Sequence, residues 1–287
     1  MSDISSEQIP QLSFDQQLES SKQNFAIFGT TVEVFRARPT LPKSKTPIVV
    51  NPSWGTTIDL NKRTMQELYK AGREVISFNH IRDGIEDMDP FARQTETLET
   101  VVDRSNLPPV DIFTHSSGLL SSIDAALAHP ERYRTVVVYA PIGLERYANF
   151  SNFVKGFVKS GTEEVLNAAQ ENNRKLREVL DIRNSEMSYT GKNIKRSLEE
   201  MKGISEAEIS QKLLEVRKKG VGVVIVLGAD DKGIEMNKVQ QTVKSDMVDG
   251  ILTVKGTHDT HLIHPEQIMP LVDKVLTARE TGKSMFE

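Results

Sequence analysis

The sequence predicts an α/β fold built on a mostly parallel sheet, and three observations predict it. Short, wholly apolar runs such as Pro47 to Asn51 and Val221 to Gly228 have the character of strands buried on both faces. These runs alternate with segments of helical period, as in successive βαβ units. The run Val110 to His115 passes without a linker into a small-residue helix beginning near Gly118, which gives strand, sharp turn, helix.

Taken in order, residues 1–21 are polar and are expected to form a loosely held lead-in. Phe25 to Phe28 and Thr31 to Arg36 flank Gly29 as a hairpin. Pro47 to Asn51 is the first buried strand, Asn61 to Ala71 a helix stopped by Gly72, and Glu74 to Phe78 the next strand. Phe91 to Asp103 reads as helix. Val110 to His115 is a strand, followed by a helix to His129-Pro130 and by the β-branched strand Thr135 to Ala140.

Residues 144–219 are charged and helical, with no strand pattern. Phe150, Phe153, Val154, Phe157 and Val158 fall at i, i+3, i+4, i+7 and i+8, forming one apolar stripe that packs on the main domain or roofs a pocket. The alternation then returns. Val221 to Gly228 is a strand, Asn237 to Ser245 a helix, Gly250 to Val254 the last strand, and Pro265 to Ala278 the closing helix. The expected division is a core of residues 22–143 and 220–287 with a helical cap over 144–219.

Composition narrows the function. With 38% hydrophobic and 26% charged residues and a net charge of −4, the chain has no basic footprint for nucleic acid or an anionic membrane. It has no cysteine, so disulfides, thiolate metal sites and a cysteine nucleophile are excluded. No window approaches the ~18 apolar residues of a membrane span, and the N-terminus lacks the basic and apolar regions of a secretory signal. A soluble, cytoplasmic protein is expected, with no cofactor implied and no pattern bearing on oligomeric state.

The candidate chemistry lies at strand ends. In Thr114-His115-Ser116-Ser117-Gly118, the turn lifts the Ser116 hydroxyl out of the strand beside a helix N-terminus; the plainer reading is a helix-capping serine turn. Two later loops, Ala229 to Gly233 and Lys255 to Glu266, leave the same C-terminal sheet edge, where ligands bind in such folds. They carry Asp230, Asp231, His258, His261 and His264.

With these elements in this order, the chain resembles the α/β-hydrolase superfamily from about Asn24 to Leu276. The His129-Pro130-Glu131-Arg132 link and the Gly256 and His258 to Pro265 spacing carry the resemblance further. It implies Ser116 as nucleophile, Asp231 as acid and His258 as base, in the order Ser, Asp, His of this fold. It also implies an oxyanion hole from the backbone N–H groups of Ser53 and Ser117, since Pro52 has none. Trp54, Phe150, Phe153 and Phe157 are the candidate pocket residues.

The activity implied is cleavage of an acyl bond, an ester first, in a small-molecule substrate. Lactone, thioester and carbon–carbon cleavage are the alternatives within this chemistry, and a non-catalytic small-molecule binder the alternative outside it. Asp230 is the competing acid and His261 and His264 the competing bases; His115 is assigned to packing, and His80 with Arg82 to a surface loop or a substrate contact. The His258, His261 and His264 triplet is not expected to hold a metal. The sequence departs from the family pattern at Thr114, where Gly is usual, and at Asn51-Pro52, where His-Gly is common.

Overall fold

The computed structural model describes residues 12–81, 88–144, 150–192 and 194–284, and only the backbone of residues 150–153 and 157. Strand β1 (Lys22–Ile27) pairs antiparallel with β2 (Thr30–Ala37) through a turn in which Phe28 and Gly29 have φ of 51° and 74°. Two successive left-handed residues give the turn whose twist suits a hairpin. The remaining strands are β3 (Ile48–Asn51), β4 (Val75–Phe78), β5 (Val110–His115), β6 (Tyr133–Tyr139), β7 (Gly222–Gly228) and β8 (Gly250–Val254).

All eight form one sheet in the order β1-β2-β4-β3-β5-β6-β7-β8. β2 meets β4 antiparallel, and every pairing from β4 to β8 is parallel. Every residue of β3, β4, β5 and β7 is buried, which is why β3, β4 and β7 are almost wholly apolar, while β5 also buries the polar Asp111, Thr114 and His115. The edge strand β8 is only partly covered.

Helices α2 (Lys62–Lys70) and α11 (Pro265–Thr281) pack together as one layer; α3 (Pro90–Arg104), α4 (Gly118–Ala128) and α8 (Ser210–Lys218) pack in series as another. α2 ends where Gly72 takes φ 92°, as its position predicts. α11 runs past the expected Ala278 until Gly282, at φ 67°, stops it. α9 (Met236–Thr242) is shorter than expected, because Val243 turns extended and buries its side chain.

Two expectations change. The lead-in is not loose throughout: α1 (Phe14–Ser20) is fixed by a capping box between Ser13 and Gln16 and by Phe14, whose ring meets Phe35 at 5.5 Å and Tyr69 at 5.3 Å. Residues 1–11 lie outside the described residues.

Between β6 and β7, α5 (Phe150–Glu171), α6 (Asn173–Lys192) and α7 (Ile194–Glu206) pack on one another, whereas α8 packs on α4 and β7. Leu213 and Val216 are fully buried there, so α8 is a sheet-covering crossover and the inserted helices end before it, not at residue 219. The insertion has a small core of its own: Ala168, Val179 and Ile182 pack with Leu262 and Ile263, the latter two from α10 (Thr260–Ile263). Among the described residues, no helix is long and apolar enough to cross a membrane.

Candidate active site

Ser116 is the first residue past β5 and has φ 48°, a value few non-glycine residues adopt. Its N–H donates to the Tyr139 carbonyl at 3.0 Å, and Gly118 begins α4 two residues on. Such strained serines cluster at functional sites because the surrounding structure must hold them there.

What holds this one starts at Asn51, which lies beside Thr114 in the parallel register. The Asn51 side-chain amide donates to the Gly118 carbonyl at 3.0 Å and to the hydroxyls of Ser121 and Ser122 at 3.0 and 2.9 Å. The Thr114 hydroxyl donates to the Asn51 carbonyl at 3.3 Å. The β-branch at Thr114 fits because Gly118 has no Cβ; one placed there would lie 2.3 Å from Thr114 Oγ1. The two departures from the family pattern, Thr114 and Asn51, thus belong to one arrangement.

Ser116 Oγ lies 3.2 Å from His258 Nε2, and His258 Nδ1 lies 2.9 Å from Asp231 Oδ2. A carboxylate only accepts, so Nδ1 carries a hydrogen, and in the neutral imidazole Nε2 accepts from Ser116. Asp231 Oδ1 in turn accepts the N–H groups of Gly233 at 2.7 Å and Ile234 at 3.1 Å, which fixes the carboxylate plane. The His258 loop is pinned by Tyr139, whose hydroxyl donates to the Thr257 carbonyl at 2.6 Å.

The competing residues sit elsewhere. Asp230 is exposed, and its N–H donates to the Gly256 carbonyl at 2.9 Å. His264 faces Glu171 and Glu266 at 3.2 Å each, and His261 is buried against Phe113, His115 and Tyr139. His80 Nε2 donates to the Pro52 carbonyl at 2.8 Å and supports that loop; Arg82 lies outside the described residues.

The two expected oxyanion donors differ. The Ser117 N–H has no partner among the described residues and stands at the start of α4, while its hydroxyl accepts from the Trp54 N–H at 2.9 Å. The Ser53 N–H is engaged: it donates to Thr56 Oγ1 at 2.9 Å. A hydroxyl three residues ahead competes for a turn amide, and the S-x-x-T spacing of Ser53 and Thr56 is the signal overlooked in the sequence. The Ser53 hydroxyl is 3.1 Å from His115 Nδ1.

The site is dense in buried ionisable groups. Burial alone would lower the His258 imidazole, but the paired Asp231 carboxylate, aided by Asp259 and Glu164, overrides it and pushes the pKa up to about 9. Burial drives His261 down to about 3 and His115 well below its usual range, so both are neutral. His115, His258 and Asp259 bring potential ligand atoms within 4.8 Å of one another. Yet His258 uses both nitrogens as above, and His115 Nε2 donates to the His258 carbonyl at 3.1 Å while its Nδ1 faces Ser53. Each ring nitrogen of His115 and His258 thus has a hydrogen-bonding partner.

Ser116 lines a cavity of about 40 Å³ with Trp54, Ile142, Glu186, Met201, Ile204 and Ile234 among its walls. Trp54 is held by the insertion, its indole N–H donating to Glu200 at 3.0 Å and its ring meeting Tyr189 at 5.3 Å. The side chains of Phe150, Phe153 and Phe157 lie outside the described residues.

No protein-family model matches the sequence, and no curated protein matches it. Solved structures do match. A carboxylesterase structure from Nitrososphaera gargenis aligns with a TM-score of 0.67 at 15% identity, over 91% of this chain and 100% of that one. The enol-lactonase from Burkholderia xenovorans LB400 aligns at 0.65 and 16%, over 89% and 100%, and a bromoperoxidase from Bacillus anthracis at 0.65 and 15%, over 88% and 98%. The chain has the α/β-hydrolase fold. In an α/β-hydrolase fold the turn after β5 and the loops after β7 and β8 meet at one sheet edge, where Ser116, Asp231 and His258 stand here.

Proposed function

We propose that this protein is a serine hydrolase that cleaves an acyl bond, a carboxylic ester first, of a small and partly apolar substrate. The observation that carries the reading is the unbroken hydrogen-bonded chain from Ser116 through His258 to Asp231. Ser116 Oγ attacks the carbonyl carbon as His258 Nε2 takes its proton, and Asp231 stabilises the imidazolium formed. The Ser117 N–H receives the developing oxyanion. Ser53 becomes the second donor when the Thr56 hydroxyl turns away. Collapse of the tetrahedral adduct returns the proton to the leaving alcohol, and water repeats the sequence on the acyl-enzyme. In this reading α5 to α7 form a cap, with Trp54 at the junction of cap and core.

A fluorophosphonate probe tests the assignment. The native protein is expected to be labelled and Ser116→Ala to be inert, as read by in-gel fluorescence and intact mass. No labelling of folded native protein removes the hydrolase reading, and labelling that survives the substitution removes Ser116 as nucleophile. The engaged Ser53 amide favours one other reading, a non-catalytic binder of small apolar molecules. A panel of fluorogenic esters, lactones and thioesters separates the bond classes among the enzymatic readings.

A further inference from the structure

Asp259 follows His258 directly and is 2% exposed, yet it takes no part in the chain from Ser116 to Asp231. Its N–H donates to Glu164 Oε1, from α5, at 3.0 Å. Its carboxylate accepts from the guanidinium of Arg183, from α6, and lies 3.8 Å from His115 Nε2. The same guanidinium donates to Glu164 and, at 2.6 Å, to Glu186. Two helices of the insertion therefore grip the backbone and side chain of the residue next to His258.

Burying so many charges for stability alone is costly, since an apolar cluster of equal volume is often as stable. What a forked guanidinium adds is direction, because its donors hold several carboxylates in a fixed geometry. We propose that Arg183 and Asp259 are positioning residues for His258, so that the inserted helices set the placement and the proton affinity of the imidazole. The step from positioning to catalysis rests on the reading of His258 as the base.

The ionisable groups facing the imidazole define a test with opposite signs, carried by Arg183 and Asp259, since burial pushes Glu164 up to about 8 and Glu186 up to about 7. Asp231 approaches from the loop after β7, Asp259 from its own loop, Glu164 from α5, and Glu186 with Arg183 from α6. His115 from β5 and His261 from α10 face it uncharged. Arg183→Met removes the positive charge and leaves Asp259 and Glu164 without it, so the imidazole should keep its proton to higher pH. Asp259→Asn removes a negative charge, so the proton should leave at lower pH. Arg183→Lys keeps the charge without the fork, so the midpoint should stay near that of the native protein.

The experiment measures the His258 midpoint by NMR titration of the imidazole nitrogens, and the pH profiles of fluorophosphonate labelling and of ester turnover. Circular dichroism checks that each variant folds, and Arg183→Gln, which also removes the charge, serves if Arg183→Met does not. The expected result is an upward midpoint for Arg183→Met, a downward one for Asp259→Asn, and kcat roughly 10- to 100-fold lower for both with KM little changed. Unchanged midpoints in the charge-removing variants, midpoints of the two moving in the same direction, or an effect confined to KM would overturn the proposal. If the native protein is not labelled while the NMR midpoints split as stated, the hydrolase reading falls and the positioning of His258 by the insertion stands.

Discussion

On the proposed reading, Ser116→Ala and His258→Ala are each expected to lower kcat on an ester substrate by roughly 10⁶-fold, and the double variant no further, because nucleophile and base would act as one unit. The hydroxyl is a weak nucleophile without a base at Nε2, and the base has nothing to activate without the hydroxyl. Asp231→Asn should cost less, about 10⁴-fold, since an amide leaves the imidazole in place but presents the wrong hydrogen-bonding partner to Nδ1. Single-turnover kinetics across the set would check the order. A double variant far slower than either single one would mean that Ser116 and His258 act separately.

The same pair fixes a pH dependence. Nε2 accepts the Ser116 proton only when the imidazole is neutral, and its raised pKa keeps it protonated through neutrality. Acylation should therefore rise with pH and level off above about 9. An imidazole at its ordinary value would give a plateau already reached by about pH 7.5. A pH series of labelling rates distinguishes the two.

The strands β3, β4 and β7 were legible because they are buried on both faces: the runs at Ile48, Val75 and Val223 leave no polar alternation to misread. Ser116, Asp231 and His258 were legible as candidates through their places after β5, β7 and β8, and the three side chains lie within hydrogen-bond distance in series. Three kinds of feature were not legible. Short-range competition by a side chain, as at Ser53 and Thr56, hides in a loop with no period. Burial of a short helix such as α1 depends on Phe35 and Tyr69, which are remote in sequence. The largest loss was in the insertion, where Glu164 and Arg183 fall in a charged helical stretch with no pattern that singles them out. Glu164 is buried and Arg183 half-buried because Asp259, 76 residues beyond Arg183, supplies a partner that no local pattern reveals.

Gly118→Ala is expected to destabilise the protein and impair Ser116, although helix propensity alone predicts the reverse. Ala is favoured over Gly within a helix by about 0.8–1.0 kcal/mol. Against that, a Cβ at residue 118 would meet Thr114 Oγ1 at 2.3 Å and the carbonyl oxygens of Pro52 and Asn51 at 3.0 and 3.3 Å. Two of the three obstacles are backbone, so relief requires shifting the β3 loop or the start of α4, at the ~1–3 kcal/mol typical of overpacking. The shift falls on the turn that holds Ser116 at its left-handed φ and on the Asn51 amide that ties β3 to Gly118, Ser121 and Ser122. A lower urea midpoint and a labelling rate down by roughly 10- to 100-fold are expected, since small misplacements of reacting groups carry such costs. Removing the nearest obstacle as well, in Thr114→Ala with Gly118→Ala, should recover part of both losses, because Thr114 surrenders only one long hydrogen bond of 3.3 Å. Residues in contact couple by about 0.5–3 kcal/mol in a double-mutant cycle. If the two substitutions instead proved additive, the close approach of Thr114 to Gly118 would not be what fits a β-branched residue into this turn.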